Sequence, residues 1–223
     1  MSDIQHYFFN VDVMWKTLPF LLEGLKVTVA MAVLIIVCGL ALGLTLAAIR
    51  SFRFMVLNAA IVVFVDVFRA IPALVILILV YFALPSAGIT FSPFASSVIA
   101  LALVLAAFSE EIFWAGITAV DKGQWEAARS TGLDYGRTLV FVVLAQAIKM
   151  VIPPLTNRTI AITKNTAIAS AVSVQEILNQ ASSQQAVLAN PTPLTLGALM
   201  YILLFLPLTF FSRWLERHYG WTH

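Results

Sequence analysis

Long apolar stretches alternate with short polar ones along this chain, and the alternation predicts five helices long enough to cross a bilayer. About 20 apolar residues span the hydrocarbon core. Residues 27–49 contain no charge and make the first such stretch. Residues 54–84 make the second, which carries Asp66 and Arg69, and residues 94–119 the third, with Glu110 and Glu111 in its second half. The fourth, 139–172, holds Pro153-Pro154 together with Lys149, Arg158 and Lys164; the fifth is 194–212. Turn-forming Pro85-Ser86-Ala87-Gly88 and Ser92-Pro93 separate the second from the third. Ahead of the first span, residues 10–26 place Trp15, Leu18, Leu22 and Leu25 at helical spacing, with Lys16 and Glu23 off that face. This segment is either a short interfacial helix or an extension of the first span, and periodicity does not separate the two. The fold expected is an all-α membrane protein of about five transmembrane helices, in one domain over residues 1–223.

Composition agrees with that reading and removes alternatives. The chain is 61% hydrophobic and 11% charged, with mean hydropathy +0.96. A soluble domain carries about a quarter charged residues, so lipid must cover much of this surface. The net charge of +2 gives no reason to expect nucleic acid. Cys38 is the single cysteine, which excludes an intrachain disulfide. Met1 to Asn10 lack the basic start of a cleavable signal peptide. His6, His218 and His223 have no metal-ligand spacing.

The placement of basic residues orients the spans. Arg50 and Arg53 follow span one, Lys122, Arg129 and Arg137 lie between spans three and four, and Arg213 and Arg217 follow span five. The other two connections carry no Lys or Arg between Leu84 and Phe94 or between Ser173 and Leu194. The positive-inside rule then puts the N-terminus outside and the C-terminus in the cytoplasm.

The polar island at 121–137 is more than a connector. Glu126, Ala127, Ala128 and Arg129 favour a helix, Gly132 suits its left-handed end, and Asp134 can cap the next turn. Ala127 and Ala128 leave a bare face for close approach by another backbone, and Glu126 and Arg129 can pair across one turn. Within the spans, Asp66 and Arg69 are three apart and can either neutralise each other or serve transport. Glu110 and Glu111 point about 100° apart on a helix and cannot share one role. Glu111 can pair with a basic residue of span four, while Arg158 or Lys164 can meet either a substrate carboxylate or Glu111. Pro153-Pro154 should open the backbone ladder of span four, which puts Asn157, Thr163, Lys164, Asn165 and Thr166 beside a pathway. Glu176, just beyond span four, reads as a solvated residue at the outer interface.

Several motifs, in order over residues 20–215, resemble the permease subunits of polar amino-acid ABC importers. They are Phe68-Arg69-x-x-Pro72, Glu111-Ile112-Phe113-x-x-Gly116-Ile117, Gly123-Gln124-x-Glu126-Ala127-Ala128-x-x-x-Gly132, Gln146-Ala147, Pro153-Pro154-Leu155-x-Asn157 and Lys164-x-Thr166. Trp114 stands where the family usually has arginine, Ala115 where it has glycine, Ala145 where it has proline and Asn165 where it has aspartate. The resemblance implies a multi-pass protein of the cell inner membrane that moves polar amino acids into the cytoplasm. It makes Gly123, Gln124, Glu126, Ala127, Ala128, Arg129 and Gly132 the ATPase-coupling residues. Asp66, Arg69, Glu111, Asn157, Arg158, Lys164, Asn165 and Thr166 are the candidate substrate pathway. Implied partners are an ABC ATPase dimer, a second permease subunit (identical or homologous), and an extracytoplasmic amino-acid-binding protein. The chain has no Gly-x-x-x-x-Gly-Lys-Ser/Thr phosphate loop, so no cofactor and no catalysis are expected in it; ATP and Mg belong to the partner ATPase. The competing class is an ion-coupled secondary transporter relaying ions through Asp66, Glu111 and Lys164, which five spans without an inverted repeat disfavour.

Overall fold

The computed structural model describes residues 7–219, and helices dominate them. The first, α1 (Val11–Ser51), starts at Asn10, whose side chain accepts from the backbone N–H groups of Asp12 and Val13. It continues unbroken through Pro19, so residues 10–26 belong to the same helix as the first span. Its 41 residues cover about 60 Å, roughly twice the thickness of a hydrocarbon core. The N-terminal part therefore projects beyond the span.

One stripe of α1 is buried: Gly24, Thr28, Met31, Ile35, Gly39, Gly43, Ala47 and Ser51. Small residues along it let α4 (Pro93–Ala119) come close. A Cβ added at Gly39 would lie 2.8 Å from the Leu105 Cβ, and one at Gly43 would lie 2.7 Å from the Ser109 Cβ and 2.9 Å from the Ala106 carbonyl oxygen. Lipid removes the hydrophobic drive between spans, so close van der Waals packing of this kind holds them together. α4 is the centre of the bundle, and its buried face joins the two larger apolar clusters, around Leu101 and Leu105 and around Phe113 and Ile117.

The second apolar stretch is not one straight helix. α2 (Met55–Ala70) ends at Ile71-Pro72, and α3 (Ala73–Ile78), prolonged by a π turn and a 3-10 turn to Ala87, leaves at 106° to it. Proline explains the site of the break, since it drives the preceding residue to extended geometry, and Ile71 sits at φ −86°, ψ 132°. The structure holds four helices long and apolar enough to cross a membrane, or five with this bent pair counted as one span.

After α4 come α5 (Lys122–Ser130), α6 (Tyr135–Thr138) with its π turn, and α7 (Leu144–Lys164), which passes into a 3-10 segment at Asn165–Val172. α7 runs on through Pro153-Pro154, although the two prolines supply no N–H to its ladder. Irregularity falls at its two ends instead, in the π turn Leu139–Val143 and the 3-10 segment. The polar stretch after it was expected to be a connector, but it contains α8 (Ile177–Leu188), packed with α1 and with α9 (Thr192–Tyr219) around Leu21, Ile177 and Ala181. Glu176 caps α8 and is fully buried rather than solvated. Its carboxylate accepts from the N–H groups of Leu178 and Asn179 and from the Tyr201 hydroxyl. Burial pushes this carboxyl above the usual range, against the lowering effect of those bonds. Gly24 of α1 makes the arrangement possible, since a Cβ there would sit 3.0 Å from the Glu176 backbone.

Candidate functional site

Two groups of side chains stand out, one at the end of the bundle where α1 and α4 finish and one inside the apolar layer. At the end of the bundle, Asp121 caps α5 by accepting from the Gly123 N–H at 2.6 Å. α5 stops at Thr131, and Gly132 follows at φ +91°, the left-handed geometry anticipated for it. Asp134 then caps α6 through the Arg137 N–H at 2.8 Å. The element is anchored to α1 by aromatic residues. The Trp125 and Tyr135 rings stack 5.0 Å apart, Phe52 packs at 5.3 Å from Tyr135, and the Tyr135 hydroxyl donates to the Ser51 carbonyl at 2.6 Å. A second tie runs to α7, where the Gln146 amide donates to the Gln124 side-chain oxygen at 3.2 Å.

Ala128 is buried within the chain, whereas Ala127 stays exposed, so only one of the two alanines is free for a partner. The expected Glu126–Arg129 ion pair is not made among the described residues. Both side chains instead line a cavity of about 520 Å³ with Arg53, Lys122, Trp114 and Trp125. Gly132 faces open space, since a Cβ built there meets no atom within 4 Å. The whole element is therefore a short exposed helix, rigidly seated on α1 and α7 and presenting its outer face. Tyr135→Phe is expected to loosen that seat by about 1 kcal/mol, the usual net value of one hydrogen bond. Faster amide hydrogen exchange over 122–138, with the spans unchanged, is the measurement that checks it.

Inside the apolar layer, the ionisable residues pair across helices rather than along them. Arg69 of α2 does not turn to Asp66; it meets Glu111 of α4 at 2.7 Å. Glu111 thus pairs with the second apolar stretch and not with the fourth. A straight run of one-dimensional spacing could not reveal this, because both partners lie on different helices. Asp66 is exposed and makes no ion pair among the described residues. Arg158 of α7 lies 3.9 Å from the centre of the Phe108 ring, and Arg69 lies 5.5 Å from the same ring. Charged side chains at such depth cost about 2.5–3.5 kcal/mol on insertion scales and normally face protein or water rather than lipid. Arg69 and its partner Glu111 lie close to the break at Ile71-Pro72, Arg158 shares the Phe108 ring with Arg69, and Asp66 lies one turn earlier on α2.

The remaining candidates go elsewhere. The Asn157 amide donates to Glu216 and its oxygen accepts from Ser212 at 2.8 Å, so both ends are engaged by α9. Thr166 is buried and donates to the Thr163 carbonyl at 2.9 Å. Asn165 opens the 3-10 segment, half-buried. Lys164 is exposed on a separate groove of about 380 Å³ along α9, with Tyr201 and Phe205.

One buried ion pair is not legible from the sequence. Glu110 is fully buried, and Arg50 of α1 donates to both of its oxygens, at 3.0 and 3.2 Å. The same guanidinium lies 4.6 Å from the Trp114 ring, at the position where the resembling motif has arginine. In the sequence Arg50 marks only the orientation of the first span. A charged residue placed beside a lipid-length apolar run was the available signal, but its partner lies 60 residues away.

An exposed helix seated on the end of a membrane bundle, together with a broken span and charged residues at depth, fits the membrane-spanning component of a transporter. The chain belongs to the family of binding-protein-dependent transport system inner membrane components, whose model matches residues 39–220. It is 38% identical over 204 residues to the arginine transport system permease protein ArtQ of Bacillus subtilis, covering 90% of this chain and 92% of that one. It is 31% identical over 214 residues to the glutamine transport system permease protein GlnP of Escherichia coli, covering 94% and 97%. Among solved structures, an amino acid ABC transporter crystallised with histidines superposes at TM-score 0.82 with 32% identity, covering 92% of this chain and 96% of that one. The MetNI methionine ABC transporter in an inward-facing form shares the fold, at TM-score 0.68 and 18% identity. The chain is a multi-pass permease component of the inner membrane.

Proposed function

We propose that this permease imports polar amino acids and is driven by ATP hydrolysis in a separate ATPase dimer. The observation that carries the reading is the seated helix α5. Its ties to α1 through Trp125 and Tyr135, and to α7 through Gln124 and Gln146, would convert a push from outside into movement of two spans. The relatives named for arginine and glutamine transport support the substrate class. Arg50, Arg53, Lys122, Arg129 and Arg137 gather around the α5 end of the bundle, which supports a cytoplasmic placement for it. The N-terminus is then outside. In this reading Gly123, Gln124, Glu126, Ala127, Ala128, Arg129 and Gly132 form the coupling surface, and Asp66, Arg69, Glu111 and Arg158 border the substrate pathway. A second permease, identical or homologous, completes the pathway, and an extracytoplasmic binding protein supplies it. ATP and Mg stay with the ATPase, and the permease itself catalyses no reaction.

Gly132→Trp tests the coupling. The side chain would point into open space on this chain, so insertion should survive, although the φ of +91° makes any side chain cost about 1–2 kcal/mol there. A partner seated on that face would be displaced. In vesicles holding the full transporter, ATP hydrolysis should continue while uptake per ATP falls at least tenfold. Normal coupled uptake by the variant would sink the assignment of α5 as the coupling helix.

A further inference from the structure

Two guanidiniums, from helices that are distant in sequence, lie over the Phe108 ring. It lies in α4 15 residues after Pro93 and 11 before Ala119, about 22 and 17 Å from the helix ends. Arg69, the first of the two cations, is neutralised by Glu111 at 2.7 Å. Arg158, the second, is half-buried and forms no ion pair among the described residues. The ring holds it by a cation–π contact at 3.9 Å, which orients the guanidinium plane without consuming its hydrogen-bond donors. An oriented, unpaired guanidinium is the side chain best suited to grip a carboxylate with two parallel N–H bonds.

The surroundings favour a small zwitterion over a lipid or a structural partner. α2 stops within two residues of Arg69, at the 106° break. Interrupted helices beside ionisable groups at membrane depth mark substrate sites in transporters. Asp66, one turn before Arg69 and exposed, offers negative charge for an ammonium group. Asn157, the next residue to Arg158, is occupied by Glu216 and Ser212, so α7 divides its polar side chains between a structural contact with α9 and a free one over α4.

We infer that Arg158, held against Phe108, binds a carboxylate of the amino acid in transit and is a specificity-determining residue of this permease. The inference rests on the amino-acid reading proposed above. It extends to either carboxylate source, the α-carboxylate or an acidic side chain, and the experiment separates them.

Radiolabelled L-glutamate, L-glutamine and L-arginine would be tested for equilibrium binding to the purified permease–ATPase complex without its binding protein. Arg158→Gln should weaken binding by tenfold or more, about the factor expected for losing a charge-assisted pair. Arg158→Lys should lie between, since it keeps the charge and loses the fork. Weakening of every amino acid that binds identifies the α-carboxylate; weakening of L-glutamate alone identifies the side chain, and Arg158→Glu should then reverse the preference toward L-arginine. Wild-type affinity in Arg158→Gln overturns the inference, and if that variant fails to stay assembled, wild-type affinity in Arg158→Lys does so. A wild-type complex that binds none of the three amino acids overturns the amino-acid reading together with the inference.

Discussion

Replacing Gly43 with leucine is expected to prevent the bundle from assembling. The glycine lies in the buried stripe of α1, and α4 passes directly over it. Even a single added carbon would stand 2.7 Å from the Ser109 Cβ, 2.9 Å from the Ala106 carbonyl oxygen and 3.0 Å from the Glu110 N–H nitrogen. Two of those three atoms are backbone and cannot rotate away, so the helices themselves must separate. Overpacking a tight core usually costs about 1–3 kcal/mol, and a leucine here should exceed that, because separation also breaks the Gly39–Leu105 contact four residues earlier. Gly43→Ala should be milder, and Ser109→Gly should partly rescue it by removing the nearest side-chain atom. Size-exclusion profiles and thermal unfolding of the detergent-extracted chain give the readout. A monodisperse Gly43→Leu protein with unchanged melting would show that α1 and α4 do not depend on this contact.

The second large effect concerns the buried pair between the same two helices. Glu110 is wholly buried and Arg50 mostly so, with side-chain exposures of 0% and 21%. Removing one partner leaves the other charged and desolvated, which costs about 3–5 kcal/mol, whereas replacing both by apolar residues of similar volume is often neutral. Glu110→Ala is therefore expected to be strongly destabilising and Arg50→Met nearly as much. The double variant Arg50→Met/Glu110→Leu should recover most of the loss. A double-mutant cycle on unfolding free energy measures the coupling. Additive losses would mean that the two side chains do not stabilise each other. Arg50 also adjoins Ser51, whose carbonyl accepts from Tyr135 of the seated element, and Trp114 is shared between the Arg50 contact and the cavity beneath α5. The double variant consequently tests a second point: stability restored without coupled uptake would assign the pair to force transmission.

How the chain divides between what could and could not be read from its order of residues follows the range of the forces involved. Hydrophobic runs and the distribution of Lys and Arg are local properties, so four spans and the polar island between the third and fourth were legible. Caps are local as well: Asp134 and Gly132 act on atoms within a few residues, and both took the geometry foreseen for them. The family motifs, each a short contiguous pattern, added the transporter class. Some local signals were legible and misread. Ile71-Pro72 announces a break, yet the apolar run across it suggested one straight span. Gly39 and Gly43, four apart in an apolar helix, match a known packing motif, which signals a close helix contact without naming the partner helix.

What the sequence alone determined is therefore four of the spans, the polar helical element between the third and fourth, and the class of protein, all of which depend on patterns within one or two turns. Partners of the buried charges were decided only in three dimensions. Arg69 could choose between Asp66 three residues away and Glu111 forty-two positions on, and the packing of α2 on α4 selected the second. Other helix contacts buried Glu176 beside Tyr201 where α8 meets α9, joined Arg50 to Glu110 where α1 meets α4, and left Arg158 of α7 over Phe108 without a counter-ion. Electrostatic attraction inside a membrane reaches across any sequence distance, and which charges meet depends on which helix faces are brought together. For Arg50 and Glu110 that choice rests on glycine-sized gaps between α1 and α4, a matter of fractions of an ångström that no one-dimensional pattern records.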